Sequence, residues 1–264
     1  MTFAYFPGKK LSVSTSIKDA LLPCTTEMPR TVRVRAGNSR RHGSPSASER
    51  CLSKRISARA GVARGLAEWM VPIDQLGAGA KYYEYNPQEA RRLLAEAGYP
   101  KGFKTLLTVT SGLSRDLVDE TQLVQRFLKD VGIDAELKIQ EYGAYVATTV
   151  QGKFEGLART PTGVTWEPDG RLYRAYASDS SRNMGHVNDP ALTAMLKEQR
   201  RTQDLEARKK LIFDIQRYVA EQQYYVYLNS NTITTSWQPY VKNFAPNHSF
   251  DYGNRAAALW LDRS

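Results

Sequence analysis

The feature that most constrains the fold is an alternation of helix-like and strand-like segments that begins at residue 86. Asn86 is a residue type favoured as a helix N-cap, and Pro87 suits the first turn that follows it. The run from Ile133 to Gln140 alternates strictly between apolar and polar residues, which predicts a strand with one buried face. The order is helix, strand, helix, strand, helix and strand, predicted over residues 86–98, 104–110, 114–131, 133–140, 142–153 and 155–159. This order predicts an α/β layer fold rather than a helix bundle or a sandwich.

Three further helices and a C-terminal region of different character follow. The helices are predicted over residues 168–177, from Asp189 onward, and over residues 204–221, where Asp204 is the expected cap. Residues 224–228 and 232–237 are strand-like, and residues 256–261 form a last apolar segment. The α/β region therefore extends to about residue 223.

The formal net charge of +10 lies entirely in residues 1–65. That segment has 13 Lys and Arg against 3 Asp and Glu, whereas residues 66–264 have 24 of each. Residues 30–65 show no apolar period, so they bury too little apolar surface to offset the loss of chain entropy. Three interpretations stay open for residues 30–65: a disordered tail, a basic arm that binds nucleic acid, and translation of a GC-rich gene in the wrong frame, which would make the product a non-functional gene fragment. The balanced charge of the remainder argues against nucleic acid as the partner of the globular part.

The sequence lacks the motifs of common enzyme and cofactor sites. No GxSxG, HExxH, GxGxxG or phosphate-binding-loop pattern is present. Cys24 and Cys51 lack metal-ligand spacing, and no run approaches the roughly 18 apolar residues that span a bilayer. Asp116, Asp119 and Glu120 cluster, but we interpret them as the solvent face and first turns of a helix, where acidic residues favour the dipole. We therefore expect no catalytic residue, no metal and no cofactor.

Four segments have amino-acid sequences that are recognisable when taken together. They are YNPQEARRLLAEAGYPKGF at residues 85–103, LVQRFLKDVGIDAELKIQEYGAYV at 123–146, EPDGRLYRAYASDSSRNMGHVNDPALTAML at 167–196 and ARKKLIFDIQRYVAEQQYYVYL at 207–228. In this order they resemble the bacterial extracellular solute-binding proteins of family 5, the dipeptide- and oligopeptide-binding group. The resemblance covers roughly residues 66–264.

The resemblance implies a periplasmic-binding-protein-like (type II) α/β fold, in which two lobes close on a solute like a hinged clamp. Residues 66–223 would form the second lobe, and residues 224–264 the crossover that returns to a first lobe missing from this chain. The strand at residues 224–228 would then lack a sheet partner and expose an edge. Residues 1–65 would stay outside the fold as a disordered tail.

The function implied is that of the substrate-binding component of an ABC importer, in a truncated form and without chemistry of its own. The expected partners are a peptide or other small solute and the permease subunits of the transporter, through which alone the protein would meet a membrane. We expect a monomer that acts outside the cytoplasmic membrane, although the first residues show no continuous apolar stretch typical of a signal peptide.

The solute-binding residues are expected on the loop that follows the strand at residues 155–159, because ligands of open α/β sheets lie beyond the carboxyl ends of strands. Arg159 could pair with a carboxylate or be a surface arginine, and Trp166 could stack on the solute or pack under the next helix. Asn183 matches an asparagine that the family places beside the cleft, or is a turn residue. The predicted ligand residues are Arg159, Thr160, Thr162, Thr165, Trp166 and Asn183.

One position departs from the family pattern. Peptide-binding members commonly place an aspartate in this loop, shortly before the Glu-Pro step, to hold the ammonium group of the peptide. This chain has Thr162, Val164 and Thr165 there and no carboxylate. An unpaired ammonium in a closing cleft would cost several kcal/mol, so a neutral or anionic solute becomes a reasonable alternative to a free peptide.

Overall fold

A computed structural model of the chain describes residues 2–4, 58–59, 61–161, 165, 167–228, 237–244 and 258–262. Most of the predicted tail, including residues 30–57, lies outside these residues. So does most of the strand predicted at residues 232–237.

The described helices and strands follow the predicted alternation. The helices are α1 (Pro87–Glu96), α2 (Arg115–Asp130), α3 (Tyr142–Ala147), α4 (Asp169–Tyr176), α5 (Pro190–Arg201) and α6 (Leu205–Gln222). The strands are β1 (Thr2–Ala4), β2 (Ala58–Arg59), β3 (Val62–Ala63), β4 (Phe103–Thr110), β5 (Ile133–Gln140), β6 (Leu157–Arg159), β7 (Tyr225–Val226), β8 (Val241–Lys242) and β9 (Trp260–Leu261). Short 3-10 helices lie at Arg64–Trp69, Ile73–Gln75, Gly77–Tyr83 and Thr149–Gln151.

Side-chain caps fix the starts of five of these helices. Asn86, Ser114 and Asp189 each accept a hydrogen bond from a backbone N–H in the first turn of α1, α2 and α5. Glu141 and Asp204 do the same for α3 and α6. The starts predicted from Asn86, Asp189 and Asp204 are confirmed, because local hydrogen bonding decides them.

The main sheet has five strands in the order β5-β4-β6-β1-β7. β4 is parallel to β5 over the full length of both strands, from Phe103 opposite Ile133 to Thr110 opposite Gln140, and it is parallel to β6 on its other side. β1 runs antiparallel to both β6 and β7, so β7 has the same direction as β4, β5 and β6. The carboxyl ends of these four parallel strands therefore lie at one edge of the sheet.

Helices cover both faces of this sheet. The core on one face lies against α1 and α2, and its buried side chains include Leu94, Leu107, Leu128, Ile133 and Leu157. The core on the other face lies against α4, α5 and α6, and its buried side chains include Ala158, Leu172, Leu196, Ile215 and Tyr225. Adjacent residues of β6, Leu157 and Ala158, face different cores, as the two-residue period of a strand requires. The predicted α/β layer fold is confirmed.

The expectation that residues 224–228 lack a sheet partner is wrong. Tyr225 and Val226 form β7, which pairs with Phe3 and Thr2 of β1. The same β1 residues pair with β6, so Thr2–Ala4 fills the place between two parallel strands. Their backbone groups satisfy edges that would otherwise be unpaired.

The globular part begins before residue 66. Val62 is buried in the core of α4, α5 and α6, and β3 pairs with β2. The apolar side chain of Val62 is an isolated signal in a segment rich in Arg, Ser and Gly, so no periodicity marks it in the sequence.

Two predicted elements differ in detail from the structure. The helix predicted over residues 142–153 is divided into α3 and a 3-10 turn at Thr149–Gln151, which ends at Gly152 with a φ of 77°. The predicted buried face of β5 holds for Ile133 and Ala135, but Ile139 is 52% exposed. β5 is an edge strand of the sheet, and its last residues extend beyond the core formed with α1 and α2.

Among the described residues, no helix combines the length and the apolar character needed to cross a bilayer.

The close approach of the two loops that precede β4 and β5 gives a test of the sheet. Gly102 has a φ of +73°, and a Cβ placed there would lie 1.8 Å from the carbonyl oxygen of Gly132. We expect Gly102→Ala to lower the free energy of unfolding by about 2 kcal/mol or more, since left-handed backbone alone costs about 1–2 kcal/mol. Urea unfolding followed by circular dichroism would measure the change.

Gly65→Ala is the matched control, because a Cβ at Gly65 meets no atom within 4 Å. It should change the free energy of unfolding by less than about 0.5 kcal/mol. Equal effects of the two substitutions would contradict the close packing of these loops.

Candidate functional site

The candidate site lies at the edge of the sheet where β4, β5, β6 and β7 end. Arg159 is the last residue of β6, and it lies level with Val226 of β7 because both are opposite Thr2 of β1. Thr160 follows Arg159 and is buried, so the connection to α4 begins at this edge. Ligands of open α/β sheets bind at such an edge.

Arg159 is buried and its guanidinium already has a partner. Its Nη2 donates to Oε2 of Glu120 on α2 at 2.8 Å, and its Nη1 donates to the carbonyl oxygen of Thr160 at 3.1 Å. The side chain of Arg159 is 6% exposed and that of Glu120 is 18% exposed. In this arrangement the positive charge of Arg159 is neutralised inside the lobe. Its predicted role as a carboxylate ligand stays a prediction.

Tyr145 of α3 holds the end of β6 from a third side. Its hydroxyl donates to the carbonyl oxygen of Arg159 at 3.0 Å, and burial raises the pKa of Tyr145 to about 12. The hydroxyl is therefore a permanent donor at neutral pH. Together Glu120, Thr160 and Tyr145 fix the point at which the candidate loop leaves the sheet.

The interpretation of Glu120 as part of a solvated face is wrong. Glu120 points toward the sheet because it shares its helix face with the buried residues Leu117 and Val124, three positions before and four positions after it. This spacing was a usable signal in the sequence. The identity of its partner was not, because Arg159 lies 39 positions away.

The other predicted loop residues are only partly described. Thr165 is half-buried and its methyl group faces Gly170 at the start of α4, where an added Cβ would be 3.5 Å away. Thr162 and Trp166 lie outside the described residues. Their roles as solute ligands stay predictions.

Asn183 makes most of its side-chain hydrogen bonds to the backbone of the loop between α4 and α5, and its Oδ1 also accepts from the hydroxyl of Tyr225 at 3.5 Å. Its Nδ2 donates to the carbonyl oxygens of Val187 and Ala177 at 2.7 Å and 3.2 Å. Its Oδ1 accepts from the backbone N–H of Val187 at 2.9 Å. These bonds hold the loop closed, and the role of Asn183 beside a cleft remains a prediction.

Asp189 joins the start of α5 to the end of α6. It accepts hydrogen bonds from the hydroxyls of Tyr224 and Tyr218 at 2.6 Å and 2.8 Å, as well as from the backbone N–H of Leu192 at 3.0 Å. Burial by itself raises the pKa of Asp189, but the bonds from Tyr224, Leu192 and Tyr218 outweigh it and hold the pKa below its ordinary value. Asp189 is thus fixed as a carboxylate beside the segment that leads into β7.

A surface groove of about 570 Å³ lies beside the ends of β4 and β5. Thr108 and Lys138, which are opposite each other in the sheet, line it together with Gln140, Lys153, Glu155 and His186. A ring nitrogen of His186 is 2.9 Å from the carbonyl oxygen of Gly152, which fixes the wall of the groove. None of the predicted ligand residues is among its described lining residues. The groove carries charges of both signs and indicates no particular ligand.

Within the described residues no group of three or more His, Cys, Asp or Glu side chains is arranged to hold a metal ion.

Residues 58–183 match the family model of bacterial extracellular solute-binding proteins, family 5 Middle. Over 128 residues the chain is 30% identical to the periplasmic oligopeptide-binding protein OppA of Salmonella typhimurium, a match that covers 47% of this chain and 23% of OppA. Over 164 residues it is 26% identical to the dipeptide-binding protein of Pseudomonas aeruginosa, covering 60% of this chain and 30% of that protein.

Two solved structures that share this fold are bacterial peptide-binding proteins. The oligopeptide-binding protein AppA of Bacillus subtilis, in complex with a nonapeptide, has a TM-score of 0.69 at 17% identity, covering 98% of this chain and 50% of AppA. The periplasmic binding protein DppA of Helicobacter pylori, in complex with peptide STSA, has a TM-score of 0.66 at 18% identity, covering 99% of this chain and 47% of DppA. The chain spans about half the length of these two proteins. The likenesses bear out the predicted α/β fold of the periplasmic-binding-protein type.

The Arg159–Glu120 pair predicts a sharp difference between single and double substitutions. Glu120→Gln should lower the free energy of unfolding by about 3 kcal/mol, because it leaves a buried guanidinium without its counter-charge. Arg159→Met should cost less, since Glu120 keeps some contact with water. The double variant should recover most of the loss. Chemical unfolding of the three variants would measure the coupling between the two residues.

Asp214→Asn is the control for this cycle, because the Arg217–Asp214 pair is well exposed. It should change stability by less than about 1 kcal/mol. Additive effects of Glu120→Gln and Arg159→Met would contradict a direct pair.

Asp189 predicts a component of acid sensitivity. Its pKa is lower in the folded chain than the unfolded value of about 3.9, so its contribution to stability is present above that pH and is lost as pH falls through the folded pKa. Asp189→Asn keeps a good helix cap but cannot ionise. The urea midpoint should therefore fall less between pH 6 and pH 3 in this variant than in the unmodified chain. An identical fall in both proteins would contradict the assignment.

Proposed function

We propose that this chain belongs to the bacterial extracellular solute-binding proteins of family 5 and is the substrate-binding component of an ABC importer for peptides or related small solutes. Proteins of this family bind solutes and are not enzymes. The family match over residues 58–183 is the observation that carries the proposal. The chain spans only 23% and 30% of the length of the two relatives described above, so the function of a whole binding protein is proposed here for a chain that matches part of one.

The mechanism we propose is capture by lobe closure. The loop from Thr160 to α4 would meet the solute, and a first lobe would close over the opposite side of it. The end of β6 supports this mechanism, because Glu120 and Tyr145 hold Arg159 on two sides at the point where the loop begins. The permease subunits of the importer would receive the solute outside the cytoplasmic membrane.

The solute itself is proposed more broadly than a free peptide. The stretch that would hold a peptide ammonium group contains Thr162, Val164 and Thr165 and no carboxylate. Solved structures with this fold include proteins in complex with agropinic acid and with Ni(L-His), as well as with peptides. A small solute without a free ammonium group is consistent with both observations.

A chimera would test the proposal. The 264-residue chain, with β1 retained, would be joined to the first lobe of the Escherichia coli oligopeptide-binding protein OppA, which is 29% identical to this chain over 133 residues. Isothermal titration with short peptides, N-acetylated peptides and small dicarboxylates should detect binding of at least one class. The first lobe alone should bind none of them. Absence of binding by the chimera to every class would count against the proposal.

The loop can be tested within the same chimera. Trp166→Ala should weaken binding about two- to tenfold if the ring stacks on the solute, as expected for an aromatic contact. Trp237→Ala is the matched control, because Trp237 is half exposed and lies outside the loop. Equal effects of the two substitutions would remove Trp166 from the site.

A further inference from the structure

Two buried arginines lie at the edge of the sheet where the parallel strands end, and among the described residues only one of them has a counter-charge. Arg159 is paired with Glu120 on the face covered by α2. Arg171, in the first turn of α4, is only 9% exposed. Within the described residues, no hydrogen bond or ion pair holds its side chain, and its Nε is buried without a partner.

The surroundings of Arg171 are aromatic and hydroxylic rather than acidic. Its guanidinium carbon lies 5.9 Å from the centre of the Tyr227 ring, and the hydroxyls of Tyr227 and Tyr176 are hydrogen-bonded to each other. The backbone of Gly61 closes one side, since a Cβ added there would lie 3.2 Å from the Tyr227 hydroxyl. We call Arg171, Tyr176 and Tyr227 the Arg171 site.

The guanidinium of the Arg171 site stays charged despite its burial. Burial lowers the pKa of Arg171, and the Tyr227 and Tyr176 hydroxyls oppose this effect. Because the ordinary pKa of an arginine lies far above neutral pH, it remains a cation there. A buried cation without a counter-charge is strongly unfavourable, and a ring 5.9 Å away compensates only a part of that cost.

The position of this site connects it to the candidate loop. α4 begins directly after the loop that leaves β6, so Arg171 follows Glu167 and Pro168 by only a few residues. Tyr227 follows Val226, which lies level with Arg159 in the sheet. The Arg171 site therefore lies at the same edge as the candidate loop, on the face opposite the Arg159–Glu120 pair.

We propose that Arg171 receives a carboxylate of the bound solute, so that this lobe selects anionic solutes; this inference rests on the proposed solute-binding function. A guanidinium offers two parallel N–H donors that match the two oxygens of a carboxylate. One hydroxyl of the Tyr176–Tyr227 pair donates to the other, which leaves the hydrogen of the second hydroxyl for the same carboxylate. The lack of an acidic residue at Thr162, Val164 and Thr165 agrees with this preference, since that loop has no charge to attract an ammonium group.

The first test measures stability without solute, in the complete 264-residue chain. Arg171→Met removes the charge and keeps a similar length, so the variant should unfold at a higher urea concentration than the unmodified chain. Arg159→Met should shift the midpoint in the opposite direction, because it breaks an existing pair. A lower midpoint for Arg171→Met would show that the guanidinium already has a stabilising partner in the chain, which would overturn the inference.

The second test uses two probes that differ only in charge, N-acetyl-trialanine with a free carboxylate and the same peptide as its carboxamide. Thermal unfolding at about 10 mM probe should show that the carboxylate stabilises the complete chain more than the amide does. Arg171→Met should bind the carboxylate about ten- to a hundredfold more weakly, and its preference for the carboxylate should vanish. Arg171→Lys, which keeps the charge but not the paired donors, should retain part of the preference.

The outcomes separate this inference from the proposed function. If both probes stabilise the chain equally, or Arg171→Met keeps the preference for the carboxylate, the inference fails and solute binding stands. If the preference survives Arg171→Met but is lost in Arg159→Met, the carboxylate ligand is Arg159 instead. If neither these probes nor any solute binds to the chain and to the chimera, the proposed function fails and the inference falls with it.

Discussion

The parallel pairing of β4 with β5 and β6 is the constraint on which the rest of the structure depends. β4 and β5 are in register over their whole length, and the loops before them approach each other closely at Gly102 and Gly132. Since parallel strands require a crossover, α2 must return along one face of the sheet, and it buries Leu128 there. The same pairing brings the carboxyl ends of the strands to one edge. A site at that edge is thus a consequence of strand direction before any side chain is considered.

The second constraint is the antiparallel strand β1, which joins β6 to β7. Through Thr2, it brings Arg159 and Val226 to the same level, and the alternation of side chains then sends their neighbours to opposite faces. Tyr227 follows Val226 on the side of α4, whereas Arg159 meets α2. Three residues near the start of the chain therefore determine how the two faces of the candidate site are aligned.

Local interactions made much of the fold predictable, and long-range interactions account for what was missed. Asn86 and Asp189 predict helix starts because a cap bonds to the backbone a few residues away. The alternation at Ile133 and Ala135 predicts the buried face of β5, because it too is a pattern of residues close together in the sequence. No local pattern links Glu120 to Arg159, or Thr2 to Val226, so the ion pair and the place of β1 emerge only from the assembled sheet. The strand order in the sequence predicted where the candidate loop lies. No sequence pattern predicted which charges on either side of the loop are paired.

That charge balance gives the two arginines different physical roles although both are buried at the same edge. Arg159 is neutralised by Glu120 and is tied to Thr160, so it stabilises the support of the loop and adds little positive potential beyond it. Arg171 has hydroxyls and an aromatic ring around it, so its field is not cancelled by any carboxylate among the described residues. In a site of low dielectric constant such a field acts more strongly than on a wet surface. If Arg171 receives a solute carboxylate as proposed, the selectivity would arise from burial of the charge rather than from the number of charges.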